Sequence, residues 1–133
     1  MTESENEKVV RKAYELLLCK DLDSLTNLLT DDFKYVGAST REYDVEGFRR
    51  MALRDVNVFP DARIDFERIV TQGDTVVVEY VWSGTHKGEY GGIQATNKRV
   101  EVPFVEILEL EDGKIRLWKD YCNTALIKQQ LCE

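Results

Sequence analysis

The chain changes its hydrophobic rhythm near Pro60, from a helical period to an alternating one. From Lys8 to Cys19, residues Val9, Val10, Ala13, Leu16 and Leu17 fall on one face at helical spacing, which predicts an amphipathic helix. Asp21-Leu22-Asp23 makes a short break, where Asp23 or Ser24 can cap the next helix. Leu25, Leu28 and Leu29 then predict a second short helix to about Thr30. Asp31-Asp32 ends it, and Phe33 to Gly37 reads as a brief strand. Asp44 caps a third helix with Phe48, Met51 and Ala52 on its inner face, ending near Val56.

Beyond Pro60 the period is two. Ala62 to Val70 reads as a strand with Ile64, Phe66 and Arg68 on one side. Gly73-Asp74 turns the chain into Thr75 to Gly84, the strongest strand, rich in β-branched and aromatic residues. Lys87 to Lys98 is a connection. Arg99 to Leu110 is a long strand in which Pro103 demands an edge or a bulge. Glu111-Asp112-Gly113 is a hairpin turn into Lys114 to Cys122. Asn123 caps a closing helix, Thr124 to Leu131. Helices first and short-turned strands afterwards predict an α+β fold, a bent antiparallel sheet with helices across its open side. Such a cone holds one apolar cavity.

Composition narrows the partners. With 133 residues the chain is one domain, read as residues 8–133 behind a flexible start at 1–7. Its net charge of −7 shows no basic surplus, so no nucleic-acid partner is expected. No apolar run approaches the roughly 20 residues of a membrane helix, and no signal-like segment opens the chain, so no membrane role and a cytoplasmic location are expected. Cys19, Cys122 and Cys132 are too few for a disulfide framework, and with His86 as the one histidine no metal is expected. Gly84, Gly88, Gly91 and Gly92 do not precede a helix, so they make no phosphate cradle.

Several runs resemble the SnoaL-like polyketide cyclases. They are Phe59-Pro60-Asp61 before a strand, Gly73-Asp74 before a Val-rich strand, Gly84-Thr85-His86-Lys87-Gly88-Glu89-Tyr90, the stretch Gly92 to Val100, and Glu111-Asp112-Gly113-Lys114-Ile115. The resemblance implies a nuclear-transport-factor-2-like cone, a curved antiparallel sheet wrapped around N-terminal helices with one apolar pocket. It also implies a homodimer through the outer sheet face, where Val77, Val81 and Val105 are apolar. In such cyclases an aspartate stands as acid/base where this chain has Asp120, while Trp118 and Glu106 stand at places held by histidines.

The run Gly113 to Tyr121 is also similar to the end of limonene epoxide hydrolase, whose catalytic aspartate matches Asp120. The Arg-x-Asp pair of that family is replaced here by Tyr80 and Trp82, and of its Tyr-x-Asn only Tyr35 survives. That constellation is broken. A ketosteroid-isomerase base would sit near Tyr35, where no carboxylate exists.

Strand alternation places Val102, Phe104, Glu106, Leu108, Trp118, Asp120 and Cys122 on one sheet face. A bulge at Gly113 would set Glu106 opposite Trp118 and Phe104 opposite Asp120. On a concave face, desolvation raises Asp120 toward a general acid/base value, and two carboxylates on neighbouring strands push each other's pKa values apart. The plainer alternative for Asp120 is a structural carboxylate, bonded to a tyrosine or capping the last helix. For Glu106 the plainer alternative is solvent. Tyr80 and Trp82 share a face and serve as core or pocket wall. Tyr14 and Tyr35 offer hydroxyls to a carbonyl oxygen, or simply pack. His86 is either a proton shuttle or a structural residue at a strand end.

These residues predict a cofactor-independent enzyme transferring protons on a hydrophobic carbonyl compound, by cyclisation, isomerisation or hydration. Asp120 is the acid/base, and Tyr14, Tyr35, Tyr80, Trp82, His86, Phe104, Glu106 and Trp118 bind substrate. A non-catalytic ligand-binding or assembly module of the same fold is the rival.

Overall fold

The computed structural model describes residues 2–133. Helix α1 spans Glu3–Leu18, earlier than the apolar period indicates. Thr2 accepts from the Glu5 N–H, and the Glu5 carboxylate accepts from the Thr2 N–H, a capping box that satisfies two helix-end donors. The segment 1–7, expected to be flexible, is therefore helical from Glu3 onward, with Met1 outside the described residues. Asn6 is fully buried and donates to the Gly73 carbonyl and to Asp74, tying this end of α1 to a distant turn.

Helix α2 is only Leu22–Thr26, capped by Asp21 through the Ser24 N–H. The expected helix to Thr30 gives way to strand β1, Leu29–Val36. A short leucine run suits either period, and here tertiary pairing decides: Leu29 lies opposite Ile115, and the Ile115 N–H donates to the Leu28 carbonyl. Strand β2 is Glu42–Tyr43, and helix α3 is Val45–Val58, capped by Asp44 as expected. Beyond α3 come β3 Arg63–Gln72, β4 Thr75–Thr85, β5 Arg99–Glu111, β6 Lys114–Cys122 and α4 Leu126–Leu131.

The six strands form one curved, unclosed sheet in the order β2-β1-β6-β5-β4-β3. All neighbours are antiparallel except β1 and β6, which run parallel. A bulge between Phe66 and Arg68 alters the predicted face of β3. Phe66 still lies opposite Tyr80, but Ile69 rather than Arg68 faces Val78, and Arg68 turns outward opposite Glu79.

The β5–β6 hairpin also departs from expectation. Asp112 and Gly113 both have positive φ, 49° and 78°. That is the two-residue turn favoured by an Asp-Gly pair, and it sets Glu111 directly opposite Lys114. The irregularity lies two residues further on, between Glu109 and Leu110. Glu106 therefore faces Asp120, not Trp118, and Phe104 faces Cys122.

Pairing of β6 with β5 stops at Phe104, so Pro103 lies at a local edge, as proline requires. Just beyond, the Gln130 amide of α4 accepts from the Glu101 N–H at 2.9 Å and donates to the Glu101 carbonyl at 2.7 Å. The main core fills the space between the helices and the inner sheet face, around Val10, Leu25, Phe33, Phe48 and Leu108. A second, smaller core gathers Val58, Phe59, Val100 and Leu131 near the loop after β4. No described helix is long and apolar enough to cross a membrane.

Candidate functional site

Register puts two acids side by side on the inner face of the sheet. On the inner face of β4 stand Val78, Tyr80 and Trp82. Opposite them on β5 stand Glu106, Phe104 and Val102. Glu106 is paired directly with Asp120 of β6, and Trp118 lies two residues before it beside Tyr35 of β1. Helix α1 brings Tyr14 to the same place across 92 residues of sequence. The Tyr14 hydroxyl donates to Glu106 Oε1 at 2.6 Å, and the Tyr35 hydroxyl donates to Asp120 Oδ2 at 2.6 Å. Both are as short as bonds to a charged or proton-sharing oxygen.

The inner face forms a cup that opens into a cavity of about 380 Å³. Tyr35, Tyr80, Trp82, Phe104, Glu106, Trp118 and Asp120 all line it. Tyr14 does not; it stands behind Glu106 and meets Tyr80 and Trp118 edge-on. Tyr80 and Phe104 stack with centroids 5.3 Å apart and planes 9° from parallel. A wider and more open groove of about 740 Å³ lies beside β2 and α3, but its charged residues of both signs point to solvent.

Burial governs the ionisation here. Glu106 is 4% exposed. Desolvation, and next the charge of Asp120, push its carboxyl up to about 8, while the bond from Tyr14 and the nearby polar hydrogens of Trp118 and Tyr80 partly oppose the rise. Desolvation also raises Asp120, while the hydrogen bond from Tyr35 and the neighbouring Glu106 carboxyl oppose the rise. The same loss of solvent, with the carboxyl charges, holds Tyr14, Tyr35 and Tyr80 well above the usual phenol value, so all three remain donors. Two buried atoms at the base of the cup, Asp120 Oδ1 and Trp118 Nε1, have no partner. Among the described residues, no group of three or more His, Cys, Asp or Glu side chains is placed to hold a metal.

His86 is not part of this cup. It is fully buried in the second core, its ring 5.9 Å from that of Phe59. The Thr96 N–H donates to Nδ1 at 3.1 Å, which assigns the ring proton to Nε2, and the Thr96 hydroxyl lies 2.9 Å from the same nitrogen. Its backbone bonds to Asn97 and Lys98 close the 86–98 loop. The expected substrate-binding histidine is therefore not among the residues that line the cavity; the loop folds back over the strand end and encloses the imidazole.

Sequence reasoning overlooked the helical wall. Met51, Asp55 and Phe59 line the cavity opposite the sheet. Asp55 was legible, because Phe48, Met51, Ala52 and Asp55 repeat at three and four residues along one face of α3. It sits 3.6 Å from Arg54, with 58% of its side chain exposed. Desolvation raises its carboxyl, and the solvent around it keeps that effect modest.

Comparison with solved structures finds close folds at low identity. AclR of Streptomyces galilaeus, a proposed hydroxylase, superposes with a TM-score of 0.89 at 22% identity, over 98% of each chain. A proposed SnoaL-like polyketide cyclase of Jannaschia sp. CCS1 gives 0.89 at 20% identity, over 97% of this chain and 92% of that one. IdmH of Streptomyces antibioticus, a proposed polyketide cyclase, gives 0.87 at 23% identity, over 96% and 99%. A search of curated proteins finds no match. The family model for SnoaL-like polyketide cyclases matches residues 7–131, nearly the whole described cone, and by that match the chain belongs to the SnoaL-like polyketide cyclase family.

Proposed function

We propose that the chain is a cofactor-independent enzyme that moves a proton on a hydrophobic carbonyl compound. One observation carries this reading. Asp120 lines an aromatic cavity, held by the Tyr35 hydroxyl, and among the described residues no Lys, Arg or His pairs with it. A carboxylate so desolvated is a stronger base than one in water.

In this reading Asp120 Oδ2 takes a proton from the carbon next to the substrate carbonyl. The electron pair left behind moves to the carbonyl oxygen, where the Tyr80 hydroxyl donates to the developing charge. Return of the proton to another position isomerises the substrate. Attack of the enolate carbon on a second carbonyl of the same molecule closes a ring, and Asp120 then protonates the new alkoxide. Each route is redox-neutral and returns Asp120 to its starting state. The apolar cavity supports a neutral, ring-bearing substrate over an anionic one, since a second negative charge would meet Asp120.

The test is exchange of α-hydrogens for deuterium in a panel of hydrophobic ketones, with wild type and Asp120→Asn, beside NMR titration of the Asp120 carboxyl. Enzyme-dependent exchange lost in Asp120→Asn, with a raised Asp120 pKa, is expected. An ordinary Asp120 titration and no exchange would replace this reading with a ligand-binding module. As to assembly, we take the outer sheet face as a homodimer surface. Val77 lies between Val70 and Ile107 there, and Val105 lies opposite Tyr121, with Val70 and Tyr121 each more than half exposed. Sedimentation at equilibrium should give twice the 15.4 kDa chain mass.

A further inference from the structure

Glu106 and Asp120 are direct cross-strand partners, a placement that sets their Cβ atoms about 5 Å apart. Their oxygens are not equivalent. Asp120 Oδ2 accepts from Tyr35, whereas Asp120 Oδ1 is fully enclosed and has no donor. Glu106 Oε1 accepts from Tyr14, which leaves Oε2 to carry a proton.

Among the described residues no Lys or Arg pairs with either carboxyl; Lys20 and Arg54 line the same cavity, but Lys20 donates to the Pro60 carbonyl and Arg54 pairs with Asp55. Tyr14 comes from α1, Tyr35 from β1, Tyr80 from β4 and Asp55 from α3, and Cys122 stands next along the same face of β6. None is a cation. An enclosed carboxylate oxygen without a donor is costly, and two adjacent unscreened carboxylates are costlier. One proton removes both penalties if it sits on Glu106 and points at Oδ1.

We propose that Glu106 is a positioning residue that stays protonated at neutral pH and donates to Asp120 Oδ1, leaving Asp120 singly charged with Oδ2 as its working oxygen. The role of Asp120 in turnover rests on the acid/base reading; the shared proton does not. In that reaction the substrate proton passes to Oδ2 while Glu106 keeps its own. The pair then carries two protons and no charge until Asp120 gives one back.

The experiment is a carbon-13 NMR titration of the Asp and Glu carboxyls in the full chain, in wild type, Glu106→Gln and Glu106→Leu. In wild type one carboxyl of the pair is expected to remain protonated at pH 7. In Glu106→Gln that high-pH step disappears, and Asp120 titrates near its first wild-type step, because the amide keeps a donor on Oδ1. In Glu106→Leu, Asp120 moves upward by about one pH unit, the loss of one donor to the charged form. Two ionised carboxyls in wild type at pH 7, or a high step that survives in Glu106→Gln, would overturn the proposal. The wild-type titration decides even if a variant folds poorly. A pair that titrates as expected, beside unaltered deuterium exchange in Asp120→Asn, would sink the acid/base reading and leave the shared proton standing.

Discussion

The carboxyl pair and His86 are both buried ionisable groups, and each holds a polar atom without a partner, Asp120 Oδ1 in one case and His86 Nε2 in the other. Their surroundings differ. The carboxyls front a cavity of about 380 Å³ and are met by hydroxyls from α1 and β1. The imidazole is packed against Phe59 and tied twice to Thr96, with no cavity before it. Burial and an orphan atom are therefore shared by a site and by a structural staple. Access and the chemistry of the neighbours separate them.

The largest expected effect is on reactivity. Asp120→Asn should lower deuterium exchange by ~10²–10⁴-fold, the usual contribution of a positioned acid/base. His86→Ala should leave it within a few-fold. Equal losses would erase the contrast between the two regions.

Next comes the pH dependence of stability. Glu106 is raised in the folded chain from 4.5 to about 8, so the folded state holds this proton longer than the unfolded one. Its stabilising effect is complete below about 4.5 and is lost as pH rises toward 8. Urea denaturation should show stability falling by ~1.4 kcal/mol per pH unit within that window from this one group. Glu106→Gln should flatten the slope, with a smaller remainder due to Asp120.

The staple is tested by stability at fixed pH. His86→Ala removes a buried ring and the acceptor that holds Thr96, and should cost ~2–4 kcal/mol. The Asp120 titration should not move. Thr96→Val is the mildest change, at ~1 kcal/mol, because the Thr96 N–H still reaches Nδ1. A large effect of Thr96→Val on Asp120 would join two regions that the packing keeps apart.

How far the sequence was legible depends on the range of the interaction. The alternating period is a local property, so the residues sharing the inner face of β5 and β6 were readable, and Phe104, Glu106, Trp118 and Asp120 do line one cavity. The register was harder. It hangs on the turn and on one irregularity: the Asp112–Gly113 geometry moves the nearest pairs by one position, and the break between Glu109 and Leu110 adds a second. The start of α1 was written in Thr2 and Glu5, a polar signal that apolar periodicity ignores. The parallel joining of β1 to β6, and the contact of Tyr14 with Glu106, arise between segments far apart in the chain, and no local pattern announces them. His86 could be placed at a strand end, but its fate was settled by the loop that folds over it.

The bond pair between Gln130 and Glu101 has a consequence for solubility. Where β6 stops, β5 offers an unpaired row of backbone donors and acceptors, a template on which a strand from another molecule could grow. The Gln130 amide occupies both groups of Glu101, standing in for one residue of a missing strand. Pro103, two residues on, offers no N–H to recruit. The closing helix and one proline thus act as gatekeepers against sheet-to-sheet aggregation, and a chain cut before α4 would expose a sticky edge while its carboxyl pair was still in place.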